Sequence, residues 1–134
     1  MPTSTGTYIG DLRTVNTHVY SGEQLITDAP LDNQGLAQAF SPTDLAATSY
    51  ACCIMTIMGI AAKARDIDIS GTTYEVTKVM GTDPRRIVEI RVVFRFPDKG
   101  YSASQKKLFE AIPATCPVAL SLHPDIRQDV KIIW

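Results

Sequence analysis

The feature that most constrains the fold of this chain is a long apolar segment, residues 41–64. Ser41 followed by Pro42 is a typical helix start, because serine caps free N–H groups and proline fits the first helical position. Residues 45–62 carry no charge and reach about 18 residues, the least that a membrane-spanning helix needs. Threonine, serine and alanine interrupt this run, and the other segments alternate like strands of a soluble sheet. We therefore predict a buried core helix and no membrane partner.

A helix of this length presents apolar side chains on nearly all of its surface. About 24 residues rise roughly 36 Å, and one small sheet cannot cover so much apolar surface. A second copy of the chain would cover the remainder. The sequence therefore predicts an obligate homodimer in which the long helices are buried together.

The composition disfavours several partners. The 134 residues, 45% of them hydrophobic, suffice for one domain with a core, so we expect a single domain over residues 1–134. The 13 basic and 14 acidic residues form no basic run, which argues against nucleic acid and anionic membranes. The chain has three cysteines, an odd number, and its N-terminal residues lack a secretion-signal pattern. Both observations indicate a reducing compartment, and we expect the cytoplasm.

Periodicity and turn residues give the order strands, helix, strands, helix, strand, which is typical of an α+β fold. The predicted strands are Thr5–Arg13, Thr17–Tyr20, Gln24–Thr27, Thr72–Met80, Ile87–Phe96 and Val130–Trp134. A second helix is expected from Ser102 or Ser104 to about Ile112, and a short helical turn from Pro117. We find no internal repeat and expect no cofactor.

Cys53 and Cys116 lie in contexts that suit redox chemistry. Cys53 falls in mid-helix, where its thiolate gains little from the helix dipole and needs a cation from elsewhere in the fold. Cys116 precedes Pro117, so its sulfur is expected near the free amides of a helix N-terminus, which favours its thiolate. Together they suggest a sulfenic acid on Cys53, a disulfide closed by Cys116, and release by an external dithiol. Taken singly, each is as typical of a buried structural cysteine, the role we expect for Cys52.

A family resemblance extends over nearly the whole chain and is carried by four short segments: Asp28–Pro30, Phe40–Leu45, Cys53–Ile60 and Cys116–Pro124. In them the sequence resembles the OsmC/Ohr family, bacterial proteins related to osmotically inducible protein C and organic hydroperoxide resistance protein. The resemblance implies an OsmC-like fold, an intertwined homodimer with central long helices. It also implies a peroxidase that reduces organic hydroperoxides in oxidative or osmotic stress, with Cys53 peroxidatic and Cys116 resolving. A lipoyl-type dithiol is the reductant that the family suggests.

The resemblance also implies that Arg13, the best match to the family's N-terminal arginine, activates the peroxidatic thiol. The hydroperoxide-resistance branch has a glutamate after the proline that starts the long helix. This chain has Thr43 there, and the acid is displaced to Asp44. Asp44 lies about 13 Å along a straight helix from Cys53 and about 180° round it, so it would act only across a dimer. This departure places the chain nearer the OsmC side.

Apolar residues around Cys53 are expected to wall a substrate pocket that favours bulky alkyl hydroperoxides over hydrogen peroxide. They are Phe40, Met55, Ile57 and Met58, although such residues at helical spacing are also typical of plain core. One alternative is a protein of this fold with little peroxidase activity that binds a small hydrophobic ligand at the dimer cleft. Another is a metal site built from the cysteines with His18 or His123, but no metal-ligand spacing supports it and we expect no metal.

Overall fold

The computed structural model describes residues 1–134 as an α+β fold, which confirms the predicted class and element order. Short 3₁₀ turns occur at Leu31–Asn33 and Pro113–Thr115. The regular elements are β1 (Ser4–Gly10), β2 (Arg13–His18), β3 (Gln24–Thr27), α1 (Pro42–Ala64), β4 (Thr73–Gly81), β5 (Arg86–Arg95), α2 (Ala103–Glu110), α3 (Pro117–Ser121) and β6 (Arg127–Ile133). The chain forms two compact units, residues 1–46 and residues 47–134. That the whole chain is a single domain remains a prediction.

The first unit is built on an antiparallel sheet with the strand order β1-β2-β3. β1 ends at Gly10, and Gly10, Asp11 and Leu12 have φ of 89°, 53° and 63°. This left-handed turn suits a Gly-Asp pair, because glycine has no side chain to clash and aspartate tolerates positive φ. Arg13 therefore begins β2, and the predicted strand Thr5–Arg13 was wrong at its C-terminal end.

The second unit contains a sheet with the strand order β4-β5-β6. β4 and β5 pair antiparallel, whereas β6 lies parallel to β5. A parallel pair needs a long crossover connection, and residues 96–126 provide it. Helices α2 and α3 lie in this crossover, and so does the fully buried Cys116.

Helix α1 supplies one wall of the core of the second unit. Its buried residues recur every three or four positions, so that they form one stripe: Ala47, Tyr50, Ala51, Ile54, Met58 and Ala62. The stripe joins a core with buried residues of β5, including Val92 and Phe94. By length and composition alone, α1 could cross a membrane. Its buried stripe packs into the core of the fold, as in the core helix of a soluble protein. On another face Ile60 is 61% exposed, so one unit does not cover the whole helix.

An aromatic cluster closes the other end of this core. The rings of Phe96 and Trp134 lie 4.4 Å apart between centroids, and Phe109 lies 5.6 Å from Phe96 and 6.2 Å from Trp134. Phe109 is on α2, which Ser102 caps by accepting the Gln105 N–H at 3.2 Å. The cluster thus ties the crossover to the end of the C-terminal strand.

Candidate functional site

Cys53 and Cys116 both belong to the second unit, and they lie near enough for the Cys53 side chain to influence the acidity of the Cys116 thiol. Cys53 lies on α1 and is half-buried, while Cys116 caps the N-terminus of α3 and is 0% exposed. All three cysteines are free thiols. Two neighbouring thiols, one of them reachable from solvent, are the arrangement that a reversible intramolecular disulfide requires.

Burial decides the acidity of Cys116. Its Sγ accepts the Ala119 N–H at 3.3 Å, and the Val118 amide also favours the thiolate. Removal of the sulfur from water has the largest effect, and together with the neighbouring Cys53 it outweighs both amides, so the pKa of Cys116 is raised above its usual value. The predicted helix-start amides are present and favour the thiolate, but the net direction is the opposite, because the sequence shows the helix start and not the depth of burial.

Cys52 points away from this pair. It is exposed, and its Sγ lies 3.6 Å from the hydroxyl of Tyr74 on β4. This contact raises the pKa of Tyr74, mainly through the hydrogen bond to Cys52. Two adjacent cysteines on one helix thus have different partners, since successive residues are about 100° apart.

Arg13 forms an ion pair in the first unit. Its guanidinium lies 3.5 Å from Oδ2 of Asp28 and donates a hydrogen bond to the side chain of Gln38. Asp28 is 1% exposed and also accepts the backbone N–H groups of Ala29 at 2.8 Å and Gln38 at 3.0 Å. These bonds hold the pKa of the Asp28 carboxyl below its usual value; the Gln38 amide has the largest effect, and Arg13 adds to it. Asp28 therefore fixes the position of the arginine.

Asp44 caps helix α1. Its Oδ2 accepts the Ser41 N–H at 3.0 Å, and Ser41 Oγ accepts the Asp44 N–H at 3.1 Å. This reciprocal pair satisfies N–H groups at the helix start. The structure thus pairs Arg13 with Asp28 and gives Asp44 a capping role in the first unit, while the two cysteines belong to the second unit.

The four predicted pocket residues have different environments. Met58 is fully buried in the core, so it has no face open to a substrate. Met55 lines a cavity of about 600 Å³ beside the C-terminal end of α1. Ile57 is half-buried against the core, and Phe40 is an exposed residue of the first unit. Neither Cys53 nor Cys116 lines this cavity, so a role in substrate binding stays a prediction for Met55, Phe40 and Ile57.

Both histidines have local partners. Nδ1 of His18 is 2.7 Å from the Ser21 hydroxyl, and Nδ1 of His123 is 3.8 Å from a carboxylate oxygen of Asp125. No group of three side chains in the structure could hold a metal ion.

Sequence reasoning missed two residues of these sites. Asp28 belongs to one of the phrases that carry the family resemblance, and a polar residue directly after an apolar strand was the available signal. Tyr50 precedes Cys53 by three positions and therefore lies on nearly the same face of α1. Its burial and its electrostatic interaction with Cys116 became visible only in the structure.

We expect Asp28→Asn to flatten the acid dependence of stability. The folded-state pKa of Asp28 lies below the unfolded value of about 3.9, so its contribution is present above that pH and is lost as the pH falls. The free energy of urea unfolding, measured between about pH 5 and 3, should fall less steeply in this variant than in the unmodified protein. Asp98→Asn, at an exposed loop position, should keep the original slope, and equal slopes for all three proteins would contradict the ion-pair interpretation.

Comparison with known proteins gives one family. A sequence profile described as OsmC-like protein matches residues 34–131. A crystal structure from Psychrobacter arcticus 273-4, of a candidate osmotic stress induced and detoxification response protein, is 54% identical, with a TM-score of 0.94 over 98% of this chain and 96% of that chain. A comparison with curated proteins gave no match.

More distant structures share the fold. An OsmC like protein from Mycoplasma pneumoniae is 20% identical, with a TM-score of 0.73 over 98% of this chain and 96% of that one. An organic hydroperoxide resistance protein from Elizabethkingia anophelis is 17% identical, with a TM-score of 0.74 over 97% and 93%.

Proposed function

Because this chain belongs to the OsmC-like family, we propose that it is a thiol-dependent peroxidase that reduces organic hydroperoxides through Cys53 and Cys116. The observation that carries the proposal is that the half-buried thiol of Cys53 lies near the fully buried thiol of Cys116 and influences its acidity. The names of the relatives agree with it, since one is a hydroperoxide resistance protein and another a candidate stress and detoxification protein. A stress-related redox role is the general form of this proposal.

The proposed cycle assigns a different task to each thiol. The Cys53 thiolate attacks the terminal oxygen of the hydroperoxide; the O–O bond breaks, the alcohol leaves, and Cys53 becomes a sulfenic acid. The Cys116 thiol then attacks the Cys53 sulfur, a disulfide forms, and water leaves. A dithiol, of lipoyl type in our prediction, reduces the disulfide and is itself oxidised. The raised pKa of Cys116 favours the protonated thiol in the reduced protein.

Arg13 is proposed as the cation that activates Cys53, either in one chain or across a dimer. Asp28 supports this proposal, because a buried carboxylate with three donors holds the guanidinium in one place. Asp44 is the weaker candidate for the partner of the arginine, because its carboxylate caps the start of α1. The capping bonds already explain why an acid stands at position 44, and an activating role for Asp44 remains a prediction.

We propose that the functional form is a homodimer in the cytoplasm. Exposed apolar side chains support a covered interface in each unit. In the first unit Tyr8, Ile9 and Ile26 are about half exposed or more, and in the second the exposed face of α1 carries Ile60. Single exposed apolar residues are ordinary, but apolar residues gathered on one sheet are typical of a surface that another chain covers.

The deciding experiment compares turnover of cumene hydroperoxide and hydrogen peroxide with dihydrolipoamide as reductant. We expect a kcat/KM at least about ten-fold higher for the organic peroxide, because the apolar residues predicted around Cys53 favour an alkyl group. Light scattering of the same sample should give twice the chain mass of 14.7 kDa. A folded dimer with free thiols that turns over neither peroxide would overturn the proposal and favour the binding of a small hydrophobic ligand.

A further inference from the structure

The second unit contains a cavity that the proposed thiol chemistry does not use. Its volume is about 410 Å³, within the range of roughly 300–1,000 Å³ that small-molecule sites occupy. Helices α1 and α2, the 3₁₀ turn before α3, and β6 all contribute to its walls. Neither Cys53 nor Cys116 lines it. A molecule bound in this cavity would therefore occupy a place distinct from the two thiols.

Tyr50 forms the floor of the cavity with a hydroxyl that lacks a partner. The residue is 1% exposed, and its hydroxyl has no hydrogen-bond partner within the protein. Every fully buried side-chain oxygen or nitrogen of the structure does have a partner, so this hydroxyl is not sealed off and is open to the cavity. Burial, with a smaller contribution from Cys116, raises the pKa of Tyr50 to about 12, so the hydroxyl keeps its proton. A buried donor without a partner favours a ligand that brings an acceptor.

Two acceptors lie at the mouth of the cavity, because Glu110 and Gln128 line it and are both exposed. Oε1 of Glu110 accepts the Trp134 indole N–H at 3.0 Å, which leaves Oε2 without a protein donor. Nε2 of Gln128 donates to the Ala119 carbonyl at 3.0 Å, which leaves the amide oxygen of this side chain as an acceptor. Both side chains are thus held by one bond each and can accept a second donor.

The charge of the lining determines which ligands fit. Glu110 is the one charged residue among the lining side chains, and no lysine, arginine or histidine lies among them. A carboxylate ligand would therefore be repelled. An ammonium group carries only donors, and its bond to a carboxylate is of the strong, charge-assisted kind. The walls between mouth and floor are apolar and include Pro113, Ala114 and Val130.

We propose that this cavity binds a small organic amine, whose ammonium group donates to Glu110 and Gln128 and whose far end carries an oxygen that accepts from the Tyr50 hydroxyl. The short apolar body of the ligand lies between these two ends, against the apolar walls. This inference does not depend on the peroxidase proposal, because none of the lining residues takes part in the proposed cycle.

Tyramine is the probe for this site, since it has an ammonium group and a phenolic oxygen at opposite ends of an apolar body. Three analogues each change one feature. Phenethylamine lacks the oxygen, tyrosol replaces the ammonium with a hydroxyl, and 3-(4-hydroxyphenyl)propionate carries a carboxylate. Binding to the reduced, full-length protein is followed by NMR of the Trp134 indole N–H, because this group bonds to Glu110.

We expect tyramine to bind at least about ten-fold more tightly than tyrosol, the effect of a hydrogen bond to a charged group. Its advantage over phenethylamine should be about three-fold or more, the effect of a bond between neutral groups. The propionate should bind most weakly of the four. Equal affinities for tyramine and tyrosol, or an indole resonance that none of the four shifts, would overturn the proposal.

Two variants assign these preferences to their residues. Glu110→Gln keeps an oxygen for the Trp134 indole and should remove the preference for tyramine over tyrosol. Tyr50→Phe should remove the preference for tyramine over phenethylamine, and it should fold, because the lost hydroxyl has no partner within the protein. If it does not fold, the comparison of the two amines on the unmodified protein still tests that contact. Glu75→Gln, at an exposed position on β4 outside the cavity, is the matched control and should keep both preferences. A preference for tyramine over tyrosol that survived Glu110→Gln would place the amine elsewhere and overturn the assignment.

Discussion

Cys53→Ser is expected to lower kcat for cumene hydroperoxide by at least about a thousand-fold, because a serine hydroxyl is a poor nucleophile at neutral pH and cannot form a sulfenic acid. Cys52→Ser is the matched control, since it removes the neighbouring thiol from the same helix. Cys52 is exposed and contacts Tyr74, whereas Cys53 faces Cys116. We expect Cys52→Ser to keep turnover within about two-fold of the unmodified protein. Steady-state consumption of dihydrolipoamide measures both.

The opposite pattern would assign the chemistry to the other thiol. If turnover survived in Cys53→Ser and disappeared in Cys52→Ser, the exposed cysteine would be the nucleophile and the contact with Cys116 would be structural. Mass spectrometry of the protein after one equivalent of peroxide provides an independent check. The unmodified protein should show a disulfide between Cys53 and Cys116, with Cys52 still free.

Phe109→Ala should cost about 3–5 kcal/mol of unfolding free energy, the usual loss for a buried phenylalanine replaced by alanine. Phe109 is 0% exposed and lies where α2 meets Phe96 and Trp134. Its removal leaves a cavity in the contact that ties the crossover to the C-terminal strand. Urea unfolding can be followed by fluorescence, because Trp134 is the one tryptophan of the chain and belongs to this cluster.

Leu120→Ala is the control for that experiment. Leu120 lies on the surface of α3 and is 74% exposed, so its truncation should change the unfolding free energy by no more than about 0.5 kcal/mol. Equal losses in the two variants would show that the aromatic cluster does not hold the crossover as described.

Local signals were sufficient to predict the helices. The Ser41-Pro42 pair gave the start of α1 within one residue, and serine caps gave α2 and its first turn. The strands of the first unit were predicted less well, because alternation continues through Gly10 and Asp11 although the backbone reverses there. Positive φ at a turn is a property of single residues, and a pattern spread over several residues does not reveal it.

In the candidate site, too, short sequence patterns predicted some features, while others depend on residues that only the fold brings together. Two cysteines in helical contexts pointed to thiol chemistry without any knowledge of the fold. The acidity of Cys116, the carboxylate partner of Arg13 and the position of Tyr50 depend on burial and on residues distant in sequence. Spacing on a straight helix correctly separated Asp44 from Cys53, but it could not show that Asp28 would pair with the arginine.

The parallel pairing of β6 with β5 determines when the two thiols of a new chain can first meet. Cys116 lies in a crossover that closes only when β6, the last strand of the chain, pairs with β5. At ordinary rates of synthesis, Cys53 is made about 3 to 13 s before Cys116. During that interval a sulfenic acid on Cys53 lacks its proposed partner Cys116 and is open to irreversible oxidation. Cells under peroxide stress would therefore lose chains that are still being made before they lose finished ones.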